Sequence, residues 1–190
     1  MLNNDDLNKA LETLRRGGII LYPTDTVWGI GCDATRAEAV GRIFRLKGRD
    51  DSKALITLID SARNLERWVD GVPPVAYDLI EAAVEPLTVI YDRAAVPPLA
   101  PNLPAPDGSL AVRIPDNEFC RALCRGLKRP LVSTSANISG APTPRSFAQI
   151  APEIINGVDY VCLSGRSDVN PKPSTIMKLT ESGVITIIRP

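Results

Sequence analysis

Apolar positions along this chain fall into two alternating rhythms. Stretches with apolar residues three and four apart read as amphipathic helices, and short continuous apolar runs between them read as buried strands. Leu7, Ala10, Leu11 and Leu14 make the first helical stripe, with Asp5 or Asp6 placed to cap it and Gly17-Gly18 to end it. Residues 19–22 form a strand stopped by Pro23. Thr35-Arg36-Ala37-Glu38 has the spacing of a capping box and opens a helix with Val40, Ile43 and Phe44 on one face. Residues 54–59 are the next strand. Ser61 caps a short helix carrying Leu65, Trp68 and Val69. Pro73-Pro74 precede another helix, with Val75, Leu79, Ile80 and Ala83, closed by Pro86.

The second half repeats the alternation. Residues 87–91 are a strand, 110–114 another, 119–127 a helix, 131–132 a strand and 160–163 one more. Residues 184–188 close a hairpin with the strand after Pro173. Between them, residues 92–109 hold five prolines and no periodicity, which predicts a mobile flap beside the binding site. Helices between several strands, plus a terminal hairpin, predict an α/β fold. The expected form is one domain over residues 1–190, a twisted mixed β-sheet of at least seven strands with flanking helices around a concave cleft.

Composition narrows the function. At 190 residues the chain can bury a real core. Its 22 Lys plus Arg balance 22 Asp plus Glu, so any nucleic-acid contact must use a local patch. It has no histidine, which removes the usual general base near neutral pH and the commonest metal ligand. Cys32, Cys120, Cys124 and Cys162 form no CxxC pair, so reduced, buried thiols in a cytoplasmic protein are expected and zinc is not. The polar, acidic N-terminus is unlike a signal peptide, and no apolar run is long enough to cross a bilayer.

The candidate chemistry sits at strand ends. Lys47-Gly48-Arg49 holds a flexible ammonium and a planar guanidinium one residue apart, a pairing suited to a polyanion if the connection is extended. Read alone, it fits a solvated basic loop better, with Lys47 exposed and holding no core. Residues 24–31 carry two hydroxyls, a carboxylate and glycines after a strand, which fits either a ligand loop or a polar turn over Trp28. Residues 133–140 carry four hydroxyls and an amide, fit for phosphate or ribose oxygens or for an ordinary Ser/Asn turn. Arg113, inside an apolar strand, requires an anion partner or a way out to solvent.

Taken together, these segments resemble the YrdC/TsaC family, the threonylcarbamoyl-adenylate synthases. The family's KxR reads Lys47-Gly48-Arg49 here, and its SxN reads Ser135-Ala136-Asn137. Tyr22-Pro23-Thr24-Asp25-Thr26-Val27-Trp28-Gly29-Ile30-Gly31, the run 131–140, Pro173-Ser174-Thr175-Ile176 and Ile188-Arg189-Pro190 are similar to its other motifs, in the same order. The resemblance covers about residues 7–190, the short single-domain form. Two departures stand out: the strand after KxR has no histidine, and the family's Pro-Gly-Pro is reduced to Glu85-Pro86.

The resemblance implies that L-threonine, bicarbonate (or CO2) and ATP give threonylcarbamoyl-AMP and pyrophosphate, and that a partner transferase passes the group to tRNA, forming t6A. It implies that Lys47 and Arg49 hold phosphates and carbamate. Thr24, Arg113 and Ser174 would meet threonine. Ser133, Ser135, Asn137 and Arg189 would face the nucleotide together with Lys47 and Arg49. Mg2+ would arrive with ATP, with Asp25 as the one conceivable ligand. The competing expectation is an RNA-binding module that contacts tRNA without catalysis of its own.

Overall fold

The computed structural model describes residues 2–48, 55–168 and 173–190. Helix α1 (Asn4–Arg15) buries Ala10, Leu11 and Leu14, as its stripe predicts. Its cap is Asn3, whose side-chain oxygen accepts the Asp6 N–H at 3.1 Å, and not Asp5 or Asp6. Strand β1 (Ile20–Tyr22) follows, then β2 (Gly29–Gly31). Residues 29–31, read as part of a loop, are therefore a strand, paired with β1. Helix α2 (Ala37–Lys47) buries Val40, Ile43 and Phe44 and ends at Gly48, whose φ of 57° suits a residue without Cβ. The predicted capping box does not form. Arg36 occupies the cap position with no side-chain capping bond to the helix, and the Thr35 hydroxyl donates instead to Asp33.

Strand β3 (Ile56–Leu58) is shorter than the predicted 54–59, of which residue 54 lies outside the described residues. A 3-10 turn capped by Ser61 leads to β4 (Val69–Asp70), and α3 (Val75–Ala82) to β5 (Leu87–Tyr91). Then come β6 (Arg93–Ala94), β7 (Leu110–Arg113), α4 (Glu118–Leu127), β8 (Leu131–Ser135), α5 (Pro152–Gly157), β9 (Tyr160–Val161), β10 (Thr175–Leu179) and β11 (Ile185–Arg189). Strand β8 runs three residues beyond the predicted 131–132, carrying Ser133 and Ser135 on the sheet itself.

Among the described residues, nine strands make one mixed sheet in the order β11-β10-β5-β7-β3-β8-β2-β1-β9. Strands β4 and β6 pair separately. Alternation along the strands divides the sheet into two faces. Val89, Val112 and Val132 point to one face, into a core with Val40, Ile43 and Phe44 of α2 and Ala76 of α3. Part of the other face, with Tyr22, Leu58 and Leu131, is covered by α1 and α4 through Leu14, Phe119, Cys120 and Leu123. The rest of that second face is left open, and the cleft lies there.

The Pro-rich segment does not form a flap over this cleft. Leu99, Ala100 and Leu103 are buried in the core on the opposite face. The Ala95 N–H donates to the Trp68 carbonyl and the Ala100 N–H to Ala34, both at 2.9 Å. A few large apolar side chains anchor the segment although its composition is mostly proline and alanine.

Candidate functional site

The cleft floor consists of two cross-strand rows. Ile176, Thr88 and Arg113 are register neighbours across β10, β5 and β7, and Ile90, Ala111, Ile56 and Ser133 across β5, β7, β3 and β8. The turn after β1 forms one wall, and Ser174 and Arg189 form the other. The enclosed volume is about 270 Å3. Thr24, Arg113, Ser133, Ser135, Ser174 and Arg189, six of the residues named from sequence, line this one space.

Each is held by its own chemistry. The Thr24 hydroxyl donates to the Val27 carbonyl at 2.7 Å and accepts the N–H groups of Thr26 and Val27 at 3.0 and 3.2 Å, so it staples the turn shut. Arg113, 4% exposed, finds its anion within the protein. Its Nη2 donates to Asp25 Oδ1 at 3.0 Å and its Nη1 to the Thr26 hydroxyl at 2.8 Å, while its buried Nε has no partner among the described residues. The Ser174 hydroxyl shares a 2.7 Å hydrogen bond with Thr88. Arg189 donates from Nη2 and Nε to the Ser174 carbonyl at 2.6 and 3.2 Å, tying the last strand to the wall.

Lys47 and Asn137 stand behind the cleft rim. Lys47 is not exposed, as read from the sequence, but 2% accessible. Its ammonium donates to the carbonyls of Ser135 and Asn137 at 2.5 and 2.6 Å. Asn137 turns its amide N–H groups to the carbonyls of Ile138 and Ala141 and leaves Oδ1 buried without a partner. Arg49, the other half of the KxR pair, lies outside the described residues.

Sequence reasoning missed Thr26 and Thr88. The signal was present: a threonine inside an apolar strand, like Thr88, must find a polar partner when buried. Asp25 enters the sequence reading only as a guess at a Mg2+ ligand. Instead its Oδ1 serves Arg113 and its Oδ2 accepts the Asp116 N–H at 3.0 Å. No group of three or more His, Cys, Asp or Glu side chains among the described residues could hold a metal ion. Such a cluster is what an all-protein metal cage needs, whereas Mg2+ brought by a nucleotide takes one or two carboxylates and the phosphate oxygens. The four thiols are buried and unpaired, and burial pushes each of them up, Cys124 to about 12, so none is poised as a nucleophile. A larger cavity, about 620 Å3, opens beyond the C-terminal end of β7, with Thr24 and Asp25 on its near wall. Among the described residues no helix is long and apolar enough to cross a membrane.

Comparison with known proteins gives the chain its relatives. The family model Sua5_yciO_yrdC, described as Telomere recombination, matches residues 12–190. A threonylcarbamoyl-AMP synthase of Xanthomonas euvesicatoria is 36% identical over 179 residues, covering 93% of this chain and 94% of that protein. The structure of E. coli YciO superposes with a TM-score of 0.86 at 25% identity, covering all of this chain and 90% of the other. P. abyssi Sua5 complexed with L-threonine gives 0.84 at 28% identity, covering 94% of this chain. The present chain spans about half of that longer protein, 52% of its length.

Proposed function

Because this chain belongs to the Sua5/YciO/YrdC family, we infer that it is a threonylcarbamoyl-AMP synthase, a nucleotidyltransferase that uses L-threonine and ATP. The observation that carries this reading is near full-length identity to synthases of the same size. The cleft supports it, because residues from four of the motifs, together with Arg113, line one space.

The chemistry asks little of a nucleophile. The threonine amine attacks the carbon of bicarbonate and water leaves, giving a carbamate. A carbamate oxygen then attacks the α-phosphorus of ATP and pyrophosphate leaves. Both steps bring anions together, so catalysis can rest on positioning and on fixed donors. In this proposal Arg113, Thr24 and Ser174 receive threonine. Ser133, Ser135 and Arg189 face the nucleotide, with Asn137 behind the loop and Arg49 on the following segment. Lys47 places its charge beneath that loop, where phosphates and carbamate gather. Mg2+ enters on the nucleotide phosphates rather than on a protein site. A cytoplasmic setting, a transferase partner that consumes the product and a contact with tRNA belong to the same proposal.

The test is pyrophosphate release by the purified protein with ATP, bicarbonate and threonine, each omitted in turn. Release that requires all three supports the synthase. Folded protein that gives no threonine-dependent pyrophosphate overturns it.

A further inference from the structure

Asp25 lines the larger cavity and not the cleft, yet it touches Arg113, which reaches the cleft from the sheet floor. Both partners are almost fully buried, at 4% for the Arg113 side chain and 8% for Asp25. The carboxylate is held at both oxygens, by Arg113 Nη2 and by the Asp116 N–H, each at 3.0 Å. Thr26, one residue on, takes Nη1. Because the Thr24 hydroxyl closes this turn, the two acceptors meet the guanidinium at a fixed spacing. Two acceptors in one plane fix a planar fork, and the fork still has donors to give. The buried Nε, without a partner among the described residues, is one of them.

We propose that Asp25 is a positioning residue for Arg113, setting the guanidinium so that its remaining donors meet the carboxylate of the amino-acid substrate. This rests on the reading that Arg113 receives threonine. The pair is neutral overall, so the substrate anion is recognised by aimed N–H groups more than by net charge. An arginine left without its counter-ion would turn toward another acceptor or rotate about its own stem. Asp25 never meets the substrate in this arrangement. It acts from the far side of the wall and also ties Arg113 to the turn that starts α4 through Asp116.

The test is steady-state kinetics of Asp25→Asn and Asp25→Glu, with threonine and ATP varied separately. Asparagine keeps the shape but puts an N–H2 group against either Arg113 or the Asp116 N–H, each of which is a donor. The expected result is a threonine KM raised about tenfold to a hundredfold, the range seen when a group behind a ligand is removed. The kcat should stay within about threefold and the ATP KM should not change. Asp25→Glu, which restores the charge, should recover part of the loss. A purely structural role predicts a lower melting temperature and less active protein at an unchanged threonine KM, and that result overturns the proposal. If Asp25→Asn does not fold, Asp25→Ser, which removes the charge with a smaller side chain, carries the test, and a wild-type threonine KM in it overturns the proposal equally. Failure of the wild type to release threonine-dependent pyrophosphate would instead defeat the synthase reading, so the two failures are distinguishable.

Discussion

The ammonium of Lys47, at the last turn of α2, donates to the carbonyl of Ser135, at the last residue of β8, across 88 positions of sequence. A second bond reaches the Asn137 carbonyl, and the Lys47 carbonyl accepts the Ser139 N–H at 2.8 Å. The two phosphate-friendly motifs are thus one physical unit. The first ties down the second, and its charge sits beneath the hydroxyls that face the cleft.

Lys47→Ala should therefore cost stability as well as activity. Two carbonyls lose a charged donor in a site of 2% exposure. Leaving buried acceptors unpaired costs roughly 1–3 kcal/mol each. Losing a desolvated charged contact should lower pyrophosphate release by about 30-fold to several thousandfold. Lys47→Arg should restore little, because a planar fork cannot replace a compact ammonium between two converging carbonyls. Urea unfolding run beside the activity assay checks both parts. A Lys47→Ala protein as stable as the wild type would refute the bracing role.

Asp6 should give the folded state a measurable acid limit. Burial pushes its carboxyl up, but bonds from the Ser164 hydroxyl and N–H, the Leu163 N–H and the Tyr160 hydroxyl outweigh that and hold it below 3.8. A carboxyl depressed in the folded state contributes stability that is present above its unfolded pKa, about 3.9. That contribution is lost as pH falls through the lower folded value. Asp6→Asn should then cost about 1–3 kcal/mol at pH 7, the difference from wild type shrinking below about pH 4. An equal difference at pH 7 and pH 3 would exclude the carboxylate as the cause.

Gly31 and Gly29 look alike in the motif but should respond differently. A Cβ at Gly31 would lie 2.6 Å from the Val132 carbonyl oxygen and 2.7 Å from Tyr22 Cε1. Neither neighbour can yield, because one is backbone in β8 and the other a fully buried ring. At Gly29 the nearest atoms, the Ser133 hydroxyl and the same ring, stand 3.2 Å away. Gly31→Ala should destabilise by about 1–3 kcal/mol or more, the usual cost of overpacking. Gly29→Ala should cost less stability but disturb the Ser133 hydroxyl and hence nucleotide affinity. Thermal melts together with the ATP KM of both variants check the contrast.

What was legible in the sequence depended on range. Stripes at helical spacing located α1, α2 and α4, because a helix buries a face defined by its own residues. Motif order located the cleft, since Thr24, Arg113, Ser133 and Ser135 follow or interrupt an apolar run and Ser174 stands just before one. Pairings between distant side chains were not legible. Nothing local says that Asp25 will meet Arg113 rather than a metal, or that Lys47 will be buried by the β8 loop. The capping box over residues 35–38 failed for the same reason. Asp33, which also pairs with Arg129 from 96 residues away, takes the threonine hydroxyl first.

The Pro-rich segment gives the sharpest contrast between composition and placement, and it carries the last prediction. Residues 92–109 contain few apolar side chains, but Leu99, Ala100 and Leu103 are at most 2% exposed and share a core with Val40 and Phe44. The Asn102 side chain adds a bond to the Ala37 carbonyl at the start of α2. A segment anchored at both its backbone and its side chains should open only with the surrounding core. The amides of Ala95, Ala100 and Leu103, all hydrogen-bonded, should therefore exchange as slowly as those of β5 and β7. Leu103→Ala should cost roughly 2–5 kcal/mol, as other buried leucine truncations do. It should leave the threonine and ATP KM values unchanged in the folded fraction, because the segment packs on the face of the sheet away from the cleft. Fast exchange at Ala100 and Leu103, or a nucleotide KM that rises in Leu103→Ala while the protein stays folded, would restore the idea of a flap at the site.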